Sequence, residues 1–93
     1  MELKRVVVTG LGAVTPVGNT PDETWSNLLA GKSGAGKITH FDPTNFKTQF
    51  ACEVKNLNTN DYIDRKEARK IDLYAQFALI AAQQAIEDCA ADL

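Results

Sequence analysis

Arg5-Val6-Val7-Val8-Thr9-Gly10-Leu11-Gly12-Ala13-Val14-Thr15-Pro16-Val17-Gly18 holds three valines in a row, each β-branched, entered from the charged pair Lys4-Arg5. Such a run predicts a strand apolar on both faces, the pattern of a central strand in a sheet covered by other layers. The residues after it, Thr9 to Ala13, are mostly small, so another backbone can approach closely there. Gly10 and Gly12 also permit dihedrals that other residues resist. A dinucleotide-binding reading of Gly10-Leu11-Gly12 fails, because its third glycine would fall at Thr15. Pro16 and Gly18 also disfavour the helix that should start there.

Working outward, 93 residues allow one small domain with a marginal core. The apolar fraction of 44% is that of an ordinary globular protein. A net charge of −2 argues against nucleic-acid binding by bulk charge. Cys52 and Cys89 are far apart and form no C-x-x-C, so neither a disulfide framework nor a zinc site is expected, and a reducing cytoplasm fits best. Neither a cofactor nor a metal is called for. The longest apolar run, Leu73 to Ala82, is too short to span a bilayer. Lys4-Arg5 followed by valines mimics a signal peptide only in part, since Thr9, Gly10 and Gly12 interrupt the apolar stretch and no cleavage site follows.

Thr20-Pro21-Asp22-Glu23 is a complete helix start, with an N-cap threonine, proline at N1 and glutamate at N3. Trp25, Leu28 and Leu29 then share one face, and Gly31 is placed to end the helix. Gly31 to Ile38 invites comparison with a phosphate-cradling loop. Ile38 stands where the magnesium-binding hydroxyl belongs, however, and a helix precedes the loop where a strand should, so a plain glycine-rich connection is expected. Ser33 is no nucleophile elbow, because Ala35 replaces the last glycine of G-x-S-x-G.

His40 is the single histidine and has no partner in the sequence, which marks it as a surface or packing residue. From Phe50 the pattern has period two, with Phe50, Cys52 and Val54 on the side read as buried and Ala51, Glu53 and Lys55 on the other. Cys52 is accordingly expected to pack as a small apolar residue. Asn56 to Asp61 is rich in turn formers, with one helical turn to follow over Asp61-Tyr62-Ile63.

Asp64 and Glu67 suit the N-cap and N3 of a helix running from Arg65 to about Cys89. Its middle is apolar nearly all round, which calls for burial inside a layered structure. Ala75, Ala78, Ala81, Ala82 and Ala85 would admit close neighbours, and Cys89 is expected to pack. Arg65, Lys66, Arg69 and Lys70 load cations onto its first turns, against the preference of the helix dipole. Lys66, Arg69 and Lys70 share a face at i+3 and i+4 spacing. Two readings stay open for them, a solvated face eased by Glu67 and Asp72 or a docking patch for an acidic partner. A doubly buried strand and an all-round apolar helix need covering layers that one amphipathic helix and one edge-like strand cannot supply. Residues 1–93 are therefore expected to be an N-terminal segment of a larger domain.

Val6-Val7-Val8-Thr9-Gly10-Leu11-Gly12 with Thr15-Pro16-Val17-Gly18 resembles the N-terminus of β-ketoacyl-[acyl carrier protein] synthases, most closely the elongating type II enzyme of bacterial fatty acid synthesis. Trp25 with Leu28-Leu29-Ala30-Gly31-Lys32-Ser33-Gly34, then Phe41-Asp42, then Arg65-Lys66-Glu67-Ala68-Arg69-Lys70-Ile71-Asp72 look like the family's successive landmarks. The resemblance covers this whole chain but only an N-terminal fraction of the family's length. It implies an α/β architecture, the N-terminal part of a thiolase-type layered αβαβα fold, in a cytoplasmic homodimer.

The implied reaction is a decarboxylative Claisen condensation of an acyl-enzyme with malonyl-acyl carrier protein. The family's nucleophilic cysteine and two histidines match no position here, so no catalytic residue is assigned, and Cys52, Cys89 and His40 are not promoted to those roles. The segment alone is expected to be inactive. The same resemblance assigns Lys66, Arg69 and Lys70 to a basic surface that docks the acyl carrier protein. Alternatives are a non-catalytic partner of the same fold, such as a chain-length factor, and a small nucleotide-binding module.

Overall fold

The structure is a computed structural model that describes residues 2–90. Along the chain lie α1 (Pro21–Leu29), β1 (Ala35–Lys37), β2 (Phe50–Cys52), a 3-10 turn (Thr59–Asp61), α2 (Arg65–Ala68) and α3 (Leu73–Cys89). Local sequence explains α1 at both ends. Thr20 Oγ1 accepts the Glu23 amide at 3.1 Å, and proline fills the first turn, where its missing N–H costs nothing. At the other end Gly31 takes φ +72, its amide donates to Leu28 O at 3.1 Å, and the Lys32 amide donates to Asn27 O at 3.0 Å. That pair of bonds is the glycine-terminated helix stop.

Residues 2–14 have no ladder partner among the described residues, and Val6, Val7 and Val8 are 88%, 62% and 79% exposed. The expected strand buried on two faces is therefore not formed among the described residues, because a strand exists only where a neighbour completes its hydrogen bonds. The close approach expected at the small residues is present, and the element approached is α3. A Cβ on Gly10 would fall 2.8 Å from that of Cys89, and one on Gly12 would collide with Ala81 O. Side chains of α3 complete the contact. Leu11 N–H donates to Asp88 Oδ2 and Ala13 N–H to Gln84 Oε1, each at 2.9 Å. Gln84 Nε2 donates onward to Asn19 O at 2.6 Å. Residues 11 and 13 of the segment and residues 84 and 88 of the helix thus meet with matched repeats.

Thr15 and Gly18 close a tight turn through Thr15 N–Gly18 O at 2.8 Å and the reverse bond at 3.2 Å, with Pro16 and Val17 at its tip. Asn27 Nδ2 donates to Val17 O, and Thr15 Oγ1 meets Thr24 Oγ1 at 3.0 Å, so the turn is fastened to α1.

Two expectations are corrected further along. Gly31 to Ile38 is not a plain connection, since Ala35–Lys37 forms β1 and pairs antiparallel with β2 in the register Ala35–Cys52, Gly36–Ala51, Lys37–Phe50. The faces over β2 are only partly as expected: Phe50 and Cys52 are exposed and Ala51 and Glu53 partly covered, whereas Val54 is partly covered and Lys55 exposed, as read. Burial of Glu53 is compensated by hydrogen bonds, which explains how a charged residue can take the inner side.

The expected continuous helix from Arg65 is broken into α2 and α3 over residues 69–72. Asp72 leaves helical geometry with ψ 159 and starts α3 from the N-cap position. Gln76 Nε2 donates to Ala68 O at 3.0 Å and to Ile71 O at 3.3 Å, satisfying carbonyls that the break would strand. Within α3, Ile80 is fully buried, but Leu73, Tyr74, Leu79 and Ile86 remain exposed. Its expected all-round burial is not provided by the described residues. The radius of gyration is 16.8 Å, against about 13 Å for a compact domain of this size. The described residues do not close a core of their own.

Candidate functional site

The three cations assigned by resemblance sit on α2 and just past it. Asp64 holds the N-cap position without a side-chain bond, and Arg69 is the C-cap with φ −68. Its amide reaches Arg65 O at 3.3 Å, and the Lys70 amide reaches Glu67 O at 3.1 Å, so Lys66, Arg69 and Lys70 still follow a near-helical path and all three are exposed. The break eases the unfavourable dipole expected from a continuous helix for two of its four cations. Arg69 and Lys70 now stand at the carbonyl end of α2, where cations are favoured, and Asp72 stands at the amide end of α3, where an anion is.

Anchoring is local. The 3-10 turn leads in through Ile63 N–H to Thr59 O at 2.9 Å, and the Gln76 amide group holds the exit, with Ile63, Ala68 and Ile71 partly covered beneath. Lys70 Nζ lies 3.5 Å from Glu67 Oε1, with the two side chains 70% and 64% exposed. A pair so exposed is worth about 0–1 kcal/mol, so Lys70 can exchange it for another carboxylate. Among the described residues no carboxylate pairs with Lys66 or Arg69. The result is a shallow cationic ledge on a pinned turn. It can attract and orient an anionic partner.

The other residues singled out from sequence are not brought together. Cys52 is exposed on β2, so its expected packing role is corrected. Cys89 is half-buried, and its thiol donates to Ile86 O at 3.1 Å. His40 is a surface residue, 56% exposed, with Nε2 at 3.4 Å from Glu53 Oε2. Glu53 lies in the chain next to Cys52, so in a strand the two side chains take opposite faces. The glycine-rich stretch does not cradle phosphate in the manner of a nucleotide loop: Gly31 ends a helix, and Gly36 is inside β1. An open cleft of about 400 Å³ lies between the start of α1 and the end of α3, and Asp22, Glu87 and Asp88 on its wall would repel an anion.

Two residues that matter to the scaffold escaped sequence reasoning. Glu53, with only 11% of its side chain exposed, accepts the Thr39 hydroxyl at 2.8 Å, the Thr39 amide at 3.2 Å and the His40 amide at 3.3 Å. Burial raises its pKa, but those donors, Thr39 first and the nearby imidazole last, outweigh it and hold the carboxyl below its usual range. Lys55 Nζ donates to Gly34 O and Glu53 O at 2.8 Å and to Pro16 O at 3.3 Å, joining the Pro16 turn, the approach to β1 and the end of β2. The available signal was the Glu-x-Lys spacing, which puts both side chains on one face.

Comparison with known proteins bears on the family and the fold. Residues 3–92 match the family model described as Beta-ketoacyl synthase, N-terminal domain. The chain is 51% identical over 88 residues to the 3-oxoacyl-[acyl-carrier-protein] synthase 2 of Vibrio cholerae, covering 95% of this chain and 21% of that protein. Proteins of the same description are 49% identical over 88 residues in Synechocystis sp. and 46% identical over 90 residues in Staphylococcus aureus. The chain therefore spans about a fifth of the length of these relatives. The solved structure titled "The ishigamide ketosynthase/chain length factor" superposes with a TM-score of 0.84 at 32% identity, over 92% of this chain and 21% of that one. A family model spanning nearly every residue, together with a matching three-dimensional course, shows that the chain belongs to the β-ketoacyl synthase family and has the thiolase-type α/β fold of that family's N-terminal domain.

Proposed function

We propose that this chain is a non-catalytic N-terminal segment of a ketoacyl-synthase-type protein, supplying framework and part of the surface that docks an acyl carrier protein. The observation that carries this reading is the exposed trio Lys66, Arg69 and Lys70 on a turn fixed by Gln76, in a chain half identical to proteins named for an acyl-carrier-protein substrate. Exposed cations at such a rim act mainly by steering and orienting a charged partner. Residues 2–9, which lack a ladder partner, and the open faces of α3 are read as surfaces that the remainder of the domain covers.

Two parents fit the segment. In an elongating synthase, a cytoplasmic homodimer, the rest of the chain would bring the cysteine that takes the acyl group and the histidines that stabilise the oxyanion formed as malonyl-carrier protein loses CO2. Acyl transfer needs an activated nucleophile and oxyanion donors held together, and Cys52, Cys89 and His40 are not so arranged. In a chain-length-factor-like partner, the same frame would work without that cysteine. This second reading asks nothing of the segment that its own residues lack, and a ketosynthase/chain length factor is among the solved structures it superposes on. The downstream residues separate the two, since a synthase carries the cysteine and a chain-length-factor-like partner does not.

The docking role is tested in a chimera joining this chain to the remainder of a full-length synthase. Reversal of Lys66, Arg69 and Lys70 to glutamate is expected to raise KM for the acyl carrier protein about tenfold or more, a loss of about 1.4 kcal/mol or more. Turnover of small thioester substrates is expected to stay as it was. An unchanged KM for the carrier would refute docking through these residues.

A further inference from the structure

We draw no further inference here: the strongest candidate, the open apolar surface presented by Val6, Val7 and Val8 ahead of the glycines that pack on α3, carries nothing because nothing in the structure shows what covers it.

Discussion

Gly12→Ala should be among the most damaging conservative changes in this chain. The added Cβ would overlap Ala81 O and stand 2.8 Å from Ala81 C and 2.9 Å from Ala85 N. All three are backbone atoms of α3, so no side-chain rotation relieves the clash and the segment must retreat from the helix. Overpacking of this kind costs about 1–3 kcal/mol. A retreat of about 1 Å would also stretch the 2.9 Å bonds from Ala13 N–H to Gln84 and from Leu11 N–H to Asp88 beyond useful geometry. Each such bond contributes about 0.5–1.5 kcal/mol, discounted here because the freed amides can reach water. Together these give about 3 kcal/mol. Gly36→Ala is the control, since nothing lies within 4 Å of its would-be Cβ, and the restricted unfolded chain should make it neutral or slightly stabilising. Thermal unfolding of the chimera at one scan rate is the assay. Gly12→Ala should lower the midpoint by roughly 5 °C or more, at about 2 °C or more per kcal/mol. Midpoints for the two variants that agree within a degree would show that α3 does not hold the glycine segment as described.

Smaller effects are expected elsewhere. Thr20→Ala removes the bond to the Glu23 amide and should cost about 1 kcal/mol, seen as a lower unfolding midpoint that Thr20→Ser restores. Gly31→Ala forces a side chain into φ +72 and should cost about 1–2 kcal/mol on the same assay, although nothing crowds the site. Glu53 is held below its ordinary pKa, so its contribution is complete above the unfolded-state value and is lost as pH falls through the lower folded value. Glu53→Gln should accordingly flatten the acid side of the stability profile, and superimposable profiles for the two proteins would contradict the bonding at Thr39 and His40. If the cationic ledge docks the carrier, KM for the carrier should rise with ionic strength while that for a small thioester stays level.

How much could be read in advance varies by element. The start of α1 was legible because Thr20, Pro21 and Glu23 act on amides within four residues, and its stop because Gly31 needs no distant partner. The interruption before α3 was not, because Arg65 to Cys89 keeps an unbroken apolar pattern. What permits the break is Gln76 reaching back to Ala68 O, eight residues away. β1 was missed for a similar reason: Ala-Gly-Lys has little strand preference and becomes a strand by pairing with β2. The faces of β2 were assigned from hydropathy alone. That assignment holds for Val54 and Lys55 and fails at Phe50, Cys52 and Glu53, because Glu53 finds Thr39 and His40 to bond. Of the candidate site, the identity and spacing of Lys66, Arg69 and Lys70 were plain, whereas their place at the end of a short helix was not.

From the residues alone came the helix signals, the close approach at Gly10 and Gly12, and the pattern of landmarks that fixes the family. Those features depend on neighbours in the chain or on which side chains are absent, and a linear sequence records both. Only the folded chain decided that α3 is the element received by the glycines, that α2 stops at Ala68, that a glutamate turns inward and that an exposed lysine bridges three backbone carbonyls. Each of those outcomes rests on a polar group satisfied by a distant partner. Hydrogen bonds of that sort are directional and leave no periodic trace in composition or spacing.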